Sequence, residues 1–265
     1  MPFMPDPSPT LLLVRQSRRA SFRALTAERP SIIRVRAGRK VIRAAGGGVA
    51  LGRDALGVAP ARVPLAIENH PSANGPYEAS VLLLDPKLLD RTEGMAPGDP
   101  FRAATDDRAL AAFERAAAAV EDPLTPLPLR GHAVREVLLW LAEAGVGFGP
   151  ARPPSFADRL RTLLAAAPDA PWRAAEAARA LAVGEATLRR RLAAEGTAFG
   201  DVLADVRMTH ALGLLQTTDA PVNAVALAVG YASPSRFAAR FRERFGIAPS
   251  VIRGADRGAH PAPSD

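Results

Sequence analysis

The last hundred residues state one pattern twice, and that repetition narrows the fold more than any other feature. Ala174–Ala182 reads as a short helix with Ala178 and Leu181 as buried positions. Val183-Gly184 makes a tight turn, and a second helix is expected from Glu185 to Glu195, stopped by Gly196. Leu188 and Leu192 stand four apart on its inner face, which leaves Thr187, Arg189, Arg190 and Arg191 over the outer surface. The pattern returns with Val222–Val229 as first helix, Gly230-Tyr231-Ala232 as turn and Ser233 as N-cap. Pro234 suits the first helical position, and the helix runs to Phe245 with Gly246 as its stop. Phe237, Phe241 and Phe245 make a buried stripe, while Ser235, Arg236, Arg240, Arg242 and Arg244 occupy other faces. A helix pair with a tight turn, whose second member exposes Arg near its start, has helix-turn-helix geometry. Such a helix enters the major groove, where Arg pairs bidentately with guanine.

Ala180–Gly184 and Ala226–Gly230 share the letters Ala-Leu-Ala-Val-Gly, but that literal match is out of register. The structural match sets Ala178 against Ala226 and Leu188 against Phe237, with the second turn one residue longer. Between the units, Phe199–Thr217 reads as one long helix with Val202, Val206, Leu212 and Leu215 available for burial. A rigid spacer of this kind fixes the separation of two readers. On one face of B-DNA they must sit about 34 Å apart to enter successive major grooves.

These residues resemble the AraC/XylS family of bacterial transcription regulators, over a stretch from about Trp172 to Arg253. The resemblance is carried by Leu188-Arg189-Arg190-Arg191-Leu192, Glu195-Gly196, and Arg207 with Ala211, Leu214 and Leu215. It continues through Ala226, Val229-Gly230-Tyr231, Ser233, Ser235, Phe237, Phe241, Phe245-Gly246 and Pro249-Ser250. It implies a regulator, more often an activator, that reads two adjacent segments of double-stranded promoter DNA, with RNA polymerase as a partner. Carried over by position, Ala186, Arg189 and Arg190 face bases from the first unit, and Pro234, Ser235, Ala238 and Ala239 from the second. Thr187, Arg236, Arg240 and Arg242 complete the candidate DNA-binding set. Two departures matter. Gly184 stands where the family often has Ser, which weakens the first N-cap. Ala239 stands where it often has Arg, so the second unit is expected to read few bases. Either Arg236 or Arg240 compensates, or that unit mostly grips phosphates. Phosphate contact and a solvated face are both open for Arg240, Arg242 and Arg244, and Arg207 equally suits an internal ion pair bracing the spacer helix.

The N-terminal half has a different grammar. After ten residues that hold four Pro and read as a loose arm, short apolar runs alternate with turns from Leu11 to Asp85. They include Ser31–Val35, Val41–Arg43, Val49–Leu51, Val63–Glu68 and Ala79–Leu84, and Gly46–Gly48 reads as a hairpin turn. Asp85–Pro100 reads as a connector, followed by helices over Asp106–Val120 and Leu129–Ala144 with Asp122–Pro128 as their turn. Val134, Val137, Leu138 and Leu141 share one face of the latter. Gly145–Pro154 is the expected linker. It divides an effector-sensing or dimerising domain (1–150) from the DNA-binding domain (155–255), where Ser155 and Asp158 suit an N-cap and Phe156, Leu160, Leu163 and Leu164 form a stripe. Members of the family commonly place a β-domain first, and the strands here are similar to a reduced cupin-like barrel. The expected class is thus α+β: a small cupin-like β-barrel (about 11–85) with trailing helices (about 105–145), then an all-α domain of two helix-turn-helix units joined by a long helix. Leu65, Ile67, Tyr77 and Val81 either line a small-molecule pocket or are plain core, with His70 near the rim.

Composition closes off other classes. The net charge is +7, but from Ser155 onward 14 Arg face 11 Asp and Glu, so bulk charge says little. With no Cys, disulfides, thiolate metal sites and cysteine nucleophiles are excluded, including the nucleophile of a repair methyltransferase fused to such a reader. His70 is the only His before His132, so no metal is expected, and no cofactor is implied. No Gly-x-Ser-x-Gly, His-Glu-x-x-His or phosphate-loop motif occurs. No run approaches the roughly 20 apolar residues of a membrane span, and the chain reads as cytoplasmic and unanchored. Three readings stay open: a regulator that senses a small molecule, one whose N-terminal domain forms a homodimer or meets a protein, and an enzyme domain fused to a DNA reader.

Overall fold

The structure is a computed structural model that describes residues 8–44, 46–90, 98–149 and 154–253. Among the described residues eight strands come first: β1 (Thr10–Gln16), β2 (Ala20–Leu25), β3 (Ser31–Ala37), β4 (Arg39–Ala44), β5 (Gly47–Leu51), β6 (Leu56–Ala59), β7 (Leu65–His70) and β8 (Tyr77–Leu83). They form two antiparallel sheets of order β1-β8-β3-β6 and β2-β7-β4-β5. Eight strands dealt between two facing sheets in this order make a jelly roll, the architecture of cupins.

The period-two alternation of side chains decides what each face covers. Ile33, Val35, Tyr77 and Ala79 of the first sheet meet Phe22, Ile42, Leu51, Leu65 and Ile67 of the second in one buried interior. Ile32, Leu56, Val58 and Leu82 point the other way, against two helices. Those helices, α2 (Asp107–Glu121) and α3 (Leu127–Glu143), follow a short α1 (Pro86–Asp90). Because the first sheet is covered on both sides, successive residues are buried in Ser31–Ile33 of β3 and throughout β6.

Several boundaries differ from expectation for local reasons. The loose arm is strand from Thr10 onward, and its first seven residues lie outside the described ones. The connector Asp85–Pro100 contains α1, with residues 91–97 outside the description. The second trailing helix starts at Leu127 because Pro128 sits in its first turn, where a missing N–H costs nothing. The Gly-rich start of the expected linker is pinned. Asp99 N donates to Gly145 O at 3.0 Å, Gly149 N donates to Gly98 O at 3.2 Å, and Val146 is buried.

The helical part comprises α4 (Phe156–Ala165), α5 (Ala174–Ala180), α6 (Glu185–Ala194), α7 (Phe199–Thr217), α8 (Val222–Ala228), α9 (Pro234–Phe245) and α10 (Pro249–Arg253). One apolar cluster joins α4, α5, α6 and the first half of α7. The second half of α7 packs with α8, α9 and α10, in a cluster continuous with the jelly-roll interior. The rings of Phe22 on β2 and Phe245 on α9 meet edge-to-face at 5.6 Å, and Gln216 Nε2 donates to Gln16 Oε1 at 3.3 Å. Among the described residues no helix is long and apolar enough to cross a membrane.

Candidate nucleic-acid interface

The first helix-turn-helix is α5 and α6, with Ala182 at φ 55 in the turn between them. Leu188 and Leu192 are fully buried against Ala177, Ala178, Leu160 and Leu164. Gly184 caps α6 without a side-chain hydrogen bond, so the cap is as weak as its residue type requires. The opposite face carries Ala186, Arg189 and Arg190 exposed, with Thr187 half-buried. Arg189 pairs with Glu185 one turn earlier, and Arg191 lies over the Phe156 ring at 5.2 Å. An exposed pair one turn apart contributes only about 0.3–0.5 kcal/mol, so Glu185 holds Arg189 only lightly.

The start of α4 is held with unusual thoroughness. Ser155 Oγ accepts from Asp158 N at 3.1 Å, and Asp158 Oδ2 accepts from Ser155 N at 2.9 Å, the reciprocal bonds of a capping box. Glu195, at the end of α6, accepts from Phe156 N and Ala157 N at 2.8 and 2.9 Å, one on each carboxylate oxygen. Burial pushes the Glu195 carboxyl up, but the backbone donations from Ala157 and Phe156 outweigh it and leave the group below its ordinary range. Sequence reasoning had Glu195 only as part of a family motif.

In the second unit the local signals all hold. Ser233 Oγ accepts from Arg236 N, Pro234 opens α9, and Gly246 takes the left-handed conformation at φ 75. Ala178 and Ala226 are both buried, as are Leu188 and Phe237, which fixes the register between units. Pro234, Ser235, Arg236, Ala239 and Arg242 are exposed, with Ala238 and Arg240 half-buried. Arg240 donates to Glu243 at 2.7 Å. Arg244, a phosphate candidate by sequence, instead holds Asp205 of α7. Among the described residues Arg207 makes no ion pair with an acid. It donates to Pro168 O and Ala170 O, both at 2.9 Å, beside the Tyr231 ring. Gly230 makes room for it: a Cβ there would come within 2.7 Å of the guanidinium.

In the N-terminal domain Leu65, Ile67 and Tyr77 are brought together in the buried interior. His70 is not with them. It lies on the outer face of β7, with Nε2 3.1 Å from Glu68 Oε2. The residue missed by sequence reasoning is Lys40. It is buried, donates to Asn69 Oδ1 at 2.8 Å, and sits over the Tyr77 ring at 5.4 Å. Burial brings its amine down to about 7 and pushes the Tyr77 phenol, which has no hydrogen-bond partner among the described residues, upward. Its one advance signal was rarity, as one of two Lys in an Arg-rich chain.

Comparison with known proteins agrees with this geometry. Residues 177–255 match a helix-turn-helix domain family, and residues 7–147 match the family of AraC-type transcriptional regulator N-termini. The virulence regulon transcriptional activator VirF of Shigella flexneri is 35% identical over 95 residues, 36% of each chain. The HTH-type transcriptional regulator YdeO of Escherichia coli K12 is 35% identical over 98 residues, 37% of this chain and 38% of that one. The chain thus matches little more than a third of the length of these relatives. Among solved structures, ToxT from Vibrio cholerae superposes with a TM-score of 0.64 at 13% identity, over 93% of this chain and all of that one. Its unsaturated-fatty-acid-bound form gives 0.58 at 12% identity, over 92% and 94%. At such identities the likeness is one of fold. Since the AraC-type N-terminus alone accounts for more than half of the 265 residues and a helix-turn-helix match follows it, the chain belongs to the AraC family of DNA-binding transcription regulators.

Proposed function

We propose that this chain activates transcription by reading two adjacent major-groove segments of a promoter, α6 in one and α9 in the next. The observation that carries the reading is a pair of similarly built helices at opposite ends of α7, with Arg189 and Arg190 exposed on the first. Arg190 and Arg189 read guanines, with Ala186 and Thr187 beside them. On α9, Ser235 and Ala239 face bases, and Arg236, Arg240 and Arg242 grip phosphates. RNA polymerase is the protein partner of such an activator, the cytoplasm its place, and no catalysis is assigned to it. The test is selection of bound genomic fragments by the full chain, followed by footprinting across a salt series. Protection of two successive major grooves on one face supports the reading, and uniform, steeply salt-dependent binding sinks it.

For the N-terminal domain, the reading is a sensor of a small acid. Lys40 and Tyr77 form a buried polar spot with unused hydrogen-bonding capacity, walled by Leu65 and Ile67, and His70 stays outside it. ToxT has been solved with a fatty acid bound. A second reading, a homodimer interface, is favoured by Leu124, Leu127 and Leu129, which crowd the α2–α3 turn at 87, 54 and 59% exposure. A rise in melting temperature with added aliphatic acids supports the sensor. A concentration-dependent mass that falls on Leu124→Glu supports the dimer.

A further inference from the structure

Two reading helices serve one duplex only if their separation and tilt match its pitch. The helix between them changes partners along its length. Val202 and Val206 pack with the first unit, while Met208, Ala211, Leu212 and Leu215 pack with the second. Apolar packing is non-directional, so these contacts leave rotation of one unit about α7 weakly opposed. Directional contacts gather where the partners change, at Asp205.

Asp205 Oδ1 accepts from Arg244 Nε of α9 at 2.8 Å and from a terminal nitrogen of the same guanidinium. Its Oδ2 lies 3.8 Å from Arg161 Nε of α4. Arg161 in turn stands 3.4 Å from Asp158, the capping-box partner of Ser155 in α4. One carboxylate on the joining helix therefore holds both units. The three side chains of Asp205, Arg244 and Arg161 are only 16, 23 and 19% exposed. Shielded from water, the charge-assisted bonds from Arg244 are strong and orientation-dependent, while Arg161 is held to Asp205 by charge alone, at ion-pair distance with no hydrogen bond from its Nε among the described residues. The N-terminal domain meets the same junction. Thr162 Oγ1, beside Arg161, donates to Glu28 Oε2 at 3.2 Å. Thr26 and Pro64 line, with Arg161, Asp205 and Arg244, a cleft of about 430 Å³.

We propose that Asp205 is the positioning residue that sets the spacing of the two reading helices, through Arg161 on one side and Arg244 on the other. This rests on the two-unit reading of DNA given above.

The test uses the full chain and a duplex recovered by selection. Its affinity is compared with that for the same duplex carrying about 2 extra base pairs between the two contacted segments. The unaltered chain should prefer the native spacing by about tenfold, on the order of one base mismatch. Asp205→Asn should reduce that preference to about twofold, chiefly by weakening the native site. Arg161→Gln, which leaves the Arg244 link in place, should lower it as well. Asp205→Glu, which keeps a carboxylate between Arg161 and Arg244, should retain more of the preference than Asp205→Asn, a difference that a mere loss of stability would not produce. Circular dichroism confirms folding of each variant. An equal loss on both spacings in Asp205→Asn and Arg161→Gln, with the preference intact, overturns this inference alone. Failure to recover any site by selection overturns the two-unit reading and this inference together.

Discussion

The two helix-turn-helix units are built to one plan and supported in different ways. The first has a core of Ala and Leu, a cap of Gly184, and its own bracing helix, α4, tied to it by Glu195. The second has a ladder of three Phe rings, a Ser233–Pro234 start and a Gly246 stop. Its core runs on into the jelly roll, through Phe245 against Phe22 and α7 against β1. On the proposed reading, the unit with its own support is the one that presents Arg189 and Arg190 to bases. A unit that shares a core with the β-domain is where a change in that domain will be felt. If the proposed reading holds, the difference separates recognition from coupling.

The most severe way to break the comparison is through the cores. Phe241→Ala should cost about 3–5 kcal/mol and Leu188→Ala about 2–5 kcal/mol, but the two should fail differently. If the second unit and the jelly roll share one core, loss of Phe241 lowers the denaturation midpoint of the β-domain as well, read by near-ultraviolet dichroism. Leu188→Ala should leave that midpoint in place. Equal effects of both on the β-domain would erase the asymmetry.

A pH titration sharpens it next. Lys40 joins Asn69 and Gln16, and Gln16 accepts from Gln216 at the end of α7, so a buried polar chain runs from the jelly roll to the second unit. The amine falls from about 10.4 in an unfolded chain to about 7 in the folded one. Between those values the unfolded state binds the extra proton, so stability rises as pH climbs from about 7 toward 10 and is lowest below 7. Lys40→Met should flatten that rise in urea denaturation series. A slope unchanged in Lys40→Met would mean that other groups carry it.

Recognition comes third in size. Arg190→Ala should cost about 1–3 kcal/mol on a cognate site and relax its base preference. Arg242→Ala should weaken all duplexes alike and lower the salt slope. Equal weakening of cognate and random DNA by Arg190→Ala would remove base reading from the first unit.

What was legible in the sequence followed the reach of each interaction. The bounds of α7 and α9, the Ser233 cap, the Gly246 stop and the Phe stripe were readable because each acts within about one helical turn. The strands β2 and β6 were harder to mark out, because 6 and 4 residues are too few to display a clear period. Contacts between distant residues left no local mark. Nothing near Arg244 distinguishes a guanidinium that will hold Asp205 from one facing a phosphate, and nothing near Lys40 announces burial. The Gly-rich stretch before α4 looked like a free linker because its partners, Gly98 and Asp99, lie far back in the chain.

The smallest predicted effect bears on the caps, where the units differ by one side chain. Ser233 supplies an oxygen to Arg236 N, and Gly184 supplies none to α6. Ser233→Ala should cost about 0.5–2 kcal/mol, while Gly184→Ser should add a few tenths of a kcal/mol, on the order of the Ser-to-Gly difference at this position. The Gly184 backbone, at φ −74 and ψ 152, already has the extended geometry a capping Ser needs, and nothing lies within 4 Å of a Cβ built there. The added oxygen should reach the backbone amides at the start of α6 without strain. Thermal melts of Gly184→Ser would record the gain, and hydrogen exchange at residues 186–188 would localise it. Faster exchange there would mean that the hydroxyl competes with the turn, and that the first unit is not limited by its cap.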